Sequence, residues 1–267
     1  MIRLGVLGDP LPFTFSPVLH RAGLEALGLE GESEALRTPL AELGSRLDQL
    51  ARGGWRGVNL THPLKEEALL HVARVEPRAE RARSVNTIRF DESGRLGDST
   101  DGSGFLDFLL EVGRVPGNER VVLLGAGGAA RSVAEALLRE GTLVAALARD
   151  PQRRAKAWEP LGTVPLLKWG TKDALQALDQ ATVVVNATPL SAEREPLDPA
   201  GLPKRALVVD LVYGPQFSGW SAAARAGGRD AWDGLGLLVH QARRAFAVWC
   251  GVLPPVEPMA RAVGWPR

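Results

Sequence analysis

One lysine and one aspartate have the chemistry and the sequence settings that proton transfer needs. Lys65 ends the stretch GVNLTHPLK (residues 57–65), which is typical of a buried strand, a loop and a helix with Pro63 in its first turn. Unlike arginine, which carries most of the positive charge of this chain, lysine is a cation that can also lose its proton. Asp101 lies in GDSTDGSG (residues 97–104), whose residues form tight turns and present side chains to a cleft. We therefore predict that Lys65 and Asp101 form an acid–base pair. The alternative for Lys65 is a solvated residue at a helix start, and the alternative for Asp101 is a turn-forming or helix-capping residue.

Three further polar side chains occur in apolar surroundings. Thr14 and Ser16 place two hydroxyls just before a helix that starts with proline, where the helix N-terminus helps to bind a carboxylate. Gln241 lies in the last helical pattern, and an amide buried there needs hydrogen-bond partners. Helix capping is the alternative for the two hydroxyls, and exposure to solvent is the alternative for Gln241.

A glycine-rich segment, VVLLGAGGAARS (residues 121–132), is typical of a strand, a tight turn and a helix. In that context Gly125 permits the turn, Gly127 lets the backbone approach a pyrophosphate, and Ala130 keeps the helix close to the strand. The helix N-terminus offers N–H groups and a partial positive charge to phosphate. The segment predicts a dinucleotide-binding site, with a plain glycine-rich turn as the alternative.

The end of the next predicted strand indicates which dinucleotide fits. An NAD enzyme usually has an acidic residue there, about 20 residues beyond the motif, for the ribose 2′-hydroxyl. This chain has Arg149, with Arg153 and Arg154 within a turn, and a guanidinium suits a phosphate. We therefore predict NADP (NADPH) as the cofactor. Asp150 favours NAD instead, since a carboxylate repels a 2′-phosphate or accepts the hydroxyls of an unphosphorylated ribose. A further alternative is that the arginines face water at a helix start and bind no cofactor.

Strand-like apolar runs alternate with helical patterns along the chain. The runs cover residues 3–7, 57–60, 121–124, 143–147, 182–186 and 206–211. The alternation predicts an α/β fold with parallel sheets. Residues 87–104 are typical of a hairpin followed by a loop, and a helix is predicted over residues 105–112. The helical spacing in residues 235–249 predicts a last helix that packs back on the first domain.

The composition excludes several classes of protein. The chain has 267 residues, 45% hydrophobic and 24% charged, which suits a soluble globular enzyme of two domains better than a disordered chain. A formal net charge of +1 gives no argument for a nucleic-acid partner, and no apolar run of 18 residues indicates a membrane span. The single cysteine, Cys250, excludes an internal disulfide framework. The N-terminal apolar run is too short for a signal peptide, so we expect a cytoplasmic location.

Eight segments resemble motifs of the shikimate dehydrogenase family in their order and spacing. They are FTFSPVLH (13–20), GVNLTHPLK (57–65), SVNT (84–87), GDSTDGSG (97–104), GAGGAAR (125–131), NATPL (186–190), DLVYGP (210–215) and GLGLLVHQARRAF (234–246). The resemblance covers essentially the whole chain. It implies an N-terminal α/β substrate-binding catalytic domain, residues 1–101 with 236–267, to which the C-terminal helices return. It also implies a Rossmann-type, doubly wound NADP-binding domain over residues 102–235.

The resemblance also implies roles for residues at the matching positions. Lys65 and Asp101 match the catalytic pair. Substrate contacts are implied for Thr14, Ser16, Thr61, Asn86, Asp101, Tyr213 and Gln241. Cofactor contacts are implied for Gly125, Ala126, Gly127, Gly128, Ala129, Arg149, Arg153, Thr188, Leu211, Gly234 and Leu237, and no metal is implied. The implied reaction is the reversible NADPH-dependent reduction of 3-dehydroshikimate to shikimate, a step of aromatic amino acid biosynthesis, by a monomer or homodimer without nucleic-acid or membrane partners.

Two other functions stay open on the sequence. Asp150, together with Thr14 where the family usually has serine, favours a quinate/shikimate dehydrogenase that uses NAD. A nucleotide-binding sensor or scaffold that lost catalysis is the other, since a fold does not guarantee activity. The presence of both Lys65 and Asp101 argues against the sensor.

Overall fold

The computed structural model describes residues 1–162, 164–188 and 197–267, so the last two residues of the motif NATPL, Pro189 and Leu190, lie outside the described residues. The chain forms two compact units. The first consists of Met1–Phe105 and Leu238–Arg267, and the second is Leu106–Leu237.

Strands and helices alternate along most of the chain, as the apolar runs predict. The strands are β1 (Ile2–Gly8), β2 (Gly31–Arg37), β3 (Gly57–Leu60), β4 (Arg74–Val75), β5 (Thr87–Asp91), β6 (Gly94–Asp98), β7 (Arg120–Leu124), β8 (Leu143–Ala148), β9 (Leu166–Lys168), β10 (Val183–Asn186), β11 (Leu207–Asp210) and β12 (Ala231–Trp232). The helices are α1 (Ser16–Ala26), α2 (Leu43–Arg52), α3 (Leu64–Glu67), α4 (Pro77–Ala82), α5 (Asp101–Glu111), α6 (Gly128–Arg139), α7 (Pro151–Trp158), α8 (Lys172–Gln180), α9 (Gly219–Ala226), α10 (Leu235–Cys250) and α11 (Val256–Val263). Short 3₁₀ helices cover Leu40–Glu42, Ala68–His71, Pro116–Asn118, Glu159–Leu161 and Pro199–Gly201.

The first unit contains a mixed sheet with the strand order β2-β1-β3-β5-β6-β4. β1 pairs in parallel with β2 and with β3, whereas β5 runs antiparallel to both β3 and β6. The hairpin predicted in residues 87–104 is therefore β5–β6. Its presence makes this sheet mixed, although the alternation of strands and helices predicts parallel sheets alone.

Helices cover this sheet with apolar side chains. The fully or almost fully buried Leu43, Leu47 and Leu50 recur along α2 at helical spacing and pack into one cluster with residues of β1 and β3. On α10, Trp249 donates its indole N–H to the carbonyl of Ile88 on β5 at 3.0 Å. Gly57 makes this approach possible, because a Cβ there would lie 2.3 Å from the Trp249 ring. The helix α10 thus packs on the first unit's sheet, as its apolar spacing predicts, although it is followed by α11 and is not the last helix.

The helix α5 begins at Asp101, four residues before the predicted start, so residues 101–104 are helical and not part of a loop. Glycine and serine have low helix propensity, which is why the sequence predicts a loop there. Packing overrides that preference: a Cβ on Gly104 would lie 2.6 Å from the backbone nitrogen of Gln241. The small residues let the first turn of α5 pack directly against the backbone of α10.

The second unit has the strand order β12-β11-β10-β7-β8-β9, and each strand pair that the structure describes is parallel. This is the doubly wound order of a Rossmann-type fold. Alternate apolar residues of β7, β10 and β11, including Val122, Val184 and Val208, are buried in one core cluster. The strand order reverses between β7 and β10, and ligands of such sheets bind beyond the carboxyl ends of the strands at that point.

Candidate functional site

Three loops of the first unit meet at one edge of its sheet. β1 and β3 are parallel, with Leu7 opposite Leu60, so their carboxyl ends share that edge. The antiparallel β5 starts there, and the N–H of Leu60 donates to the carbonyl of Asn86 at 2.7 Å. β6 ends there, because Thr87 pairs with Asp98. The residues that follow β3, precede β5 and follow β6 are therefore neighbours in space.

Lys65 and Asp101 form an ion pair at this edge. Lys65 lies in the short helix α3 and Asp101 is the first residue of α5, and Nζ donates to Oδ2 at 2.6 Å. The lysine side chain is 19% exposed and the aspartate side chain 8%. The N-terminus of α5 favours the negative charge of the aspartate. An ammonium that is fixed on one side and open on another can deliver a proton to a bound oxygen atom.

Two amide side chains extend the hydrogen bonding from the aspartate. Asn86 donates from Nδ2 to Asp101 Oδ1 at 2.7 Å and to Gln241 Oε1 at 3.3 Å. Gln241 is buried and donates to the carbonyl of Leu238 at 3.1 Å. The alternative of a solvent-facing Gln241 is thereby excluded. The structure brings Lys65, Asp101, Asn86 and Gln241 into one hydrogen-bonded cluster.

Thr14, Ser16 and Thr61 follow strands that end at the same edge. The hydroxyl of Thr14 donates to Ser16 Oγ at 3.1 Å and accepts the N–H of Ser16, also at 3.1 Å. Both hydroxyls therefore lie at the start of α1, where carboxylate binding and contact with the helix backbone are both available to them. Thr61 directly follows β3, and its N–H donates to the carbonyl of Leu7 at 2.9 Å. Tyr213 lies in the second unit, between β11 and α9.

The glycine-rich turn of the second unit has the geometry that phosphate binding needs. Gly125 has a φ of 113°, in the region that favours glycine. Gly127 caps α6 in an extended conformation, and a Cβ there would meet no atom of the described residues within 4 Å. Among those residues, open space therefore lies beside the first turn of α6, whose N–H groups have no partner within the helix. Because Gly125 adopts this turn and Gly127 leaves this space, the segment fits a bound pyrophosphate.

Two buried side chains of the second unit hold the backbone of this turn. The carbonyl of Ala126 accepts the indole N–H of Trp158 at 3.2 Å and a guanidinium N–H of Arg131 at 3.3 Å. Both donor side chains are buried. These two bonds hold the peptide group between Ala126 and Gly127 in place.

Arg149 and Arg153 lie at the carboxyl end of β8, next to the glycine turn's own strand. Both side chains are exposed. Asp150 is the N-cap of α7, and its Oδ1 accepts the N–H of Arg153 at 3.1 Å. The two guanidinium groups can therefore reach a phosphate in solvent, while the carboxylate between them is bonded to the helix backbone.

The remaining predicted cofactor residues lie near the carboxyl ends of β10 and β11 or on α10. Thr188 donates its N–H and its hydroxyl to Asn186 Oδ1 at 3.1 and 2.7 Å. Gly234 approaches Leu211 so closely that a Cβ would lie 2.2 Å from the leucine carbonyl oxygen. Leu237 is buried in the first turns of α10. The second unit thus gathers Gly125 and Thr188 at its switch point, where a Cβ on the glycine would lie 3.1 Å from the threonine methyl.

Two buried ionisable groups escape the sequence analysis. Complete burial lowers the pKa of His20 to about 4, although the ring's hydrogen bond to Asn59 raises it. Burial raises the pKa of Asp210 to about 6, against hydrogen bonds from Ser218, the Val212 N–H and Asn186. A polar residue within an apolar strand is the signal that points to Asn59, and His20 lies four residues after Ser16, on the same helix face.

Replacement of His20 by glutamine is expected to make the protein's stability less sensitive to acid. The pKa of His20 is about 4 in the folded chain and 6.5 ordinarily, so its contribution is complete above pH 6.5 and is lost as the pH falls towards 4. The shift corresponds to about 3 kcal/mol. We expect the difference in free energy of unfolding between the wild type and His20→Gln to shrink by about this amount from pH 7.5 to pH 4, measured by urea titration.

The difference between the wild type and His20→Gln reports the pH dependence that His20 alone contributes. Asp210, with its raised pKa of about 6, stabilises the folded chain more at low pH, in the opposite sense, but it titrates in both proteins and cancels from their difference. Parallel pH dependences for the two proteins would contradict a neutral, buried His20.

Within the described ranges, no helix is both long and apolar enough to cross a membrane. In the same part of the chain, no group of three or more histidine, cysteine, aspartate or glutamate side chains could hold a metal ion.

The sequence matches three family models. Residues 6–88 match the shikimate dehydrogenase substrate binding domain, and residues 234–263 match the shikimate 5'-dehydrogenase C-terminal domain. Residues 120–214 match the model described as NADP oxidoreductase, coenzyme F420-dependent. The NADP oxidoreductase match covers the glycine turn, Arg149 and Arg153 of the second unit.

Full-length relatives extend the similarity to the whole chain. The NADP-dependent shikimate dehydrogenase of Thermus thermophilus is 41% identical over 98% of this chain and 97% of its own length. That of Rhodospirillum rubrum is 40% identical over 97% of this chain and 95% of its own. A crystal structure of the Thermus thermophilus enzyme in complex with NADP(H) and shikimate covers 99% of both chains, with 39% identity and a TM-score of 0.88. With this identity over almost its full length, and with the predicted motifs at the edges of its two sheets, the chain belongs to the shikimate dehydrogenase family.

Proposed function

We propose that this protein catalyses the reversible NADPH-dependent reduction of 3-dehydroshikimate to shikimate, a step of aromatic amino acid biosynthesis. The observation that carries the proposal is the ion pair of Lys65 and Asp101, 2.6 Å long and largely shielded from solvent, in a chain of this family. Its relatives are NADP-dependent shikimate dehydrogenases. A fold alone would not support an activity, whereas an intact acid–base pair does.

Reduction of a carbonyl needs a hydride at carbon and a proton at oxygen. Bound NADPH supplies the hydride. The ammonium of Lys65 donates the proton to the oxygen that gains negative charge, and it takes the proton back in the reverse reaction. Asp101 holds the ammonium through Oδ2. Each carboxylate oxygen accepts more than one hydrogen bond, so Asp101 also accepts a substrate hydroxyl while it stays bonded to Lys65 and Asn86.

The other substrate contacts are assigned by their hydrogen-bonding groups. The amide of Asn86, which donates to Asp101, and the amide of Gln241, which accepts from Asn86, read the pattern of ring hydroxyls. The hydroxyls of Thr14 and Ser16 bind the carboxylate at the start of α1, where the helix N-terminus favours an anion. Thr61 and Tyr213 complete the set of substrate contacts.

The second unit binds NADP in this proposal. Gly125, Ala126, Gly127, Gly128 and Ala129 hold the pyrophosphate at the start of α6, and Arg149 and Arg153 hold the 2′-phosphate. Thr188, Leu211, Gly234 and Leu237 line the rest of the dinucleotide. Residues 102–235 form the cofactor domain, and residues 1–101 with 236–267 form the substrate domain. The open space at Gly127 and the exposure of both guanidinium groups support these assignments.

The proposal also covers the setting of the enzyme. We propose a monomer or homodimer in the cytoplasm, where the single cysteine stays reduced, with small molecules as its ligands.

A direct assay tests the function. Purified protein with shikimate and NADP is expected to reduce NADP rapidly, followed as the absorbance of the reduced nicotinamide, with a much lower rate when NAD replaces NADP. Quinate in place of shikimate tests the alternative substrate suggested by Thr14. A higher rate with NAD would favour the NAD-using alternative, and no rate with either cofactor would favour the sensor and overturn the proposal.

A further inference from the structure

A line of hydrogen bonds crosses the interior of the first unit and ends at the Asp101 carboxylate. Its members are Ser33, His20, Asn59, Thr87, Asn86 and Asp101, and none of them is more than 6% exposed. In that order the successive links measure 2.8, 3.0, 2.9, 2.9 and 2.7 Å. All are of ordinary hydrogen-bond length. The line therefore connects a buried histidine on α1 to the acid–base pair.

The amide of Asn59 fixes the direction of the first links. The backbone carbonyl of Asn86 can only accept, so the Asn59 atom 3.1 Å from it is the nitrogen Nδ2, and Oδ1 faces His20. His20 Nε2 therefore carries the proton and donates it to Asn59. Its Nδ1 accepts the hydroxyl of Ser33.

The amide of Asn86 fixes the direction of the last links. The backbone N–H of Thr100 can only donate, so the Asn86 atom 2.7 Å from it is Oδ1, and Nδ2 faces Asp101. Thr87 accepts from Asn59 Nδ2 and donates to Asn86 Oδ1. Every member thus donates to the next, and all the donors point towards Asp101.

A neutral histidine keeps every link of the line in this direction. An imidazolium would donate from Nδ1 to the Ser33 oxygen and reverse the first link, whereas a neutral ring accepts at Nδ1 and donates at Nε2. Burial lowers the pKa of His20 to about 4, which keeps the ring neutral. The edge-to-face contact with Trp249, at 5.1 Å between ring centroids, holds the ring's orientation.

We propose that Ser33, His20, Asn59 and Thr87 are positioning residues that set the orientation and the hydrogen-bonding strength of the Asp101 carboxylate. In a line of donors that all point the same way, each bond polarises the next. Asn86 therefore donates more strongly to Oδ1, and the rotation of the carboxylate is fixed with Oδ2 towards Lys65. This inference rests on the proposed acid–base roles of Lys65 and Asp101, and it adds four residues that touch neither the substrate nor the cofactor.

Thr87→Val is the substitution that interrupts the line with the least change in shape. It removes the one hydroxyl that both accepts from Asn59 and donates to Asn86, while the Thr100 N–H still holds Asn86. We expect kcat for shikimate oxidation to fall about tenfold, the effect of one hydrogen bond, with KM for NADP unchanged. Thr87→Ser keeps the hydroxyl and is expected to restore kcat to within about twofold.

A matched variant separates this effect from loss of stability. Thr142 is a buried threonine of the second unit whose hydroxyl donates to the carbonyl of Pro116 at 2.8 Å. Thr142→Val is expected to lower the free energy of unfolding as much as Thr87→Val does, with kcat unchanged. Equal losses of kcat in both variants, or no rescue by serine, would overturn the proposal. His20→Phe tests the far end of the line independently, with an expected threefold or larger fall in kcat.

A double-mutant cycle tests whether Thr87 acts through Asp101. In an Asp101→Asn background, Thr87→Val is expected to lower kcat by less than twofold, because the charged acceptor at the end of the line is gone. A tenfold effect in both backgrounds would overturn the positioning role while the proposed function stands. Normal kcat in Asp101→Asn alone would overturn the acid–base role of Asp101, and the positioning role with it.

Discussion

Lys65→Ala is expected to lower kcat for shikimate oxidation by about 100-fold or more, with a smaller change in KM for shikimate. In the proposed mechanism the ammonium exchanges a proton with the reacting oxygen, and positioned general acids and bases contribute about 10² to 10⁴ in rate. That interaction develops in the transition state, so its loss lowers kcat more than substrate affinity. Initial rates with saturating NADP over a series of shikimate concentrations measure both constants.

Two variants give this experiment its controls. Lys65→Arg keeps the positive charge next to Asp101 but cannot release a proton, so it is expected to be about as slow as the alanine variant. Lys204→Ala removes an exposed lysine of the second unit and is expected to leave kcat unchanged. Asp101 keeps its hydrogen bond from Asn86 when Lys65 is removed, so the cluster survives the substitution. Near-normal turnover in Lys65→Ala would remove this residue from the mechanism.

The central strands of both sheets were predictable because they are buried on both faces. Their sequences are continuous apolar runs, and β1, β3, β7, β8, β10 and β11 each begin and end within one residue of the predicted limits. The edge strand β2 has the sequence GESEALR and gives no such signal. Its Glu32 faces solvent in an ion pair with Arg3 at 2.9 Å, so charge replaces the apolar pattern where the sheet ends.

The sequence predicts the pairing of Lys65 with Asp101 but not how the fold brings them together. The type and setting of Lys65 and Asp101 indicate acid–base chemistry, yet their contact depends on the antiparallel pairing of β5 with β3 and β6, which brings three loops to one edge. The helical start at Asp101 depends on the packing of Gly104 against α10. The hairpin of β5 and β6 is predicted from the sequence, but neither the pairing of β5 with β3 nor the helix contact at Gly104 follows from local propensity. Tertiary packing decides both.

The sequence alone does not show whether the Asp150 carboxylate contacts the cofactor or caps a helix. From the sequence it favours NAD, because a carboxylate after the second strand can accept the ribose hydroxyls. In the folded chain its Oδ1 accepts the Arg153 N–H as the N-cap of α7. A carboxylate that caps a helix is bonded to that helix's backbone and offsets the helix dipole. This contact removes the main objection to a phosphate bound by Arg149 and Arg153.

Arg149→Ala is accordingly expected to lower kcat/KM for NADP by about 10- to 100-fold and to leave kcat/KM for NAD unchanged. Hydrogen bonds between a guanidinium and a phosphate are charge-assisted and are lost only with the cofactor that carries the 2′-phosphate. Arg153→Ala is expected to act in the same direction, and the double variant more strongly than either. The measurement is kcat/KM for both cofactors at fixed, saturating shikimate.

Two further substitutions test whether the preference for NADP over NAD comes from the bound 2′-phosphate. Arg120→Ala removes an exposed arginine at the opposite end of β7, in the same unit, so it controls for the change in net charge and is expected to affect neither cofactor. Asp150→Ala removes the cap, which costs about 1 kcal/mol of stability, but is expected to change the ratio of the two kcat/KM values by less than about threefold. If that ratio instead moved strongly towards NADP, the carboxylate would act on the cofactor itself. A loss of activity with NAD as large as with NADP in Arg149→Ala would place the guanidinium on a part of the cofactor that both dinucleotides share.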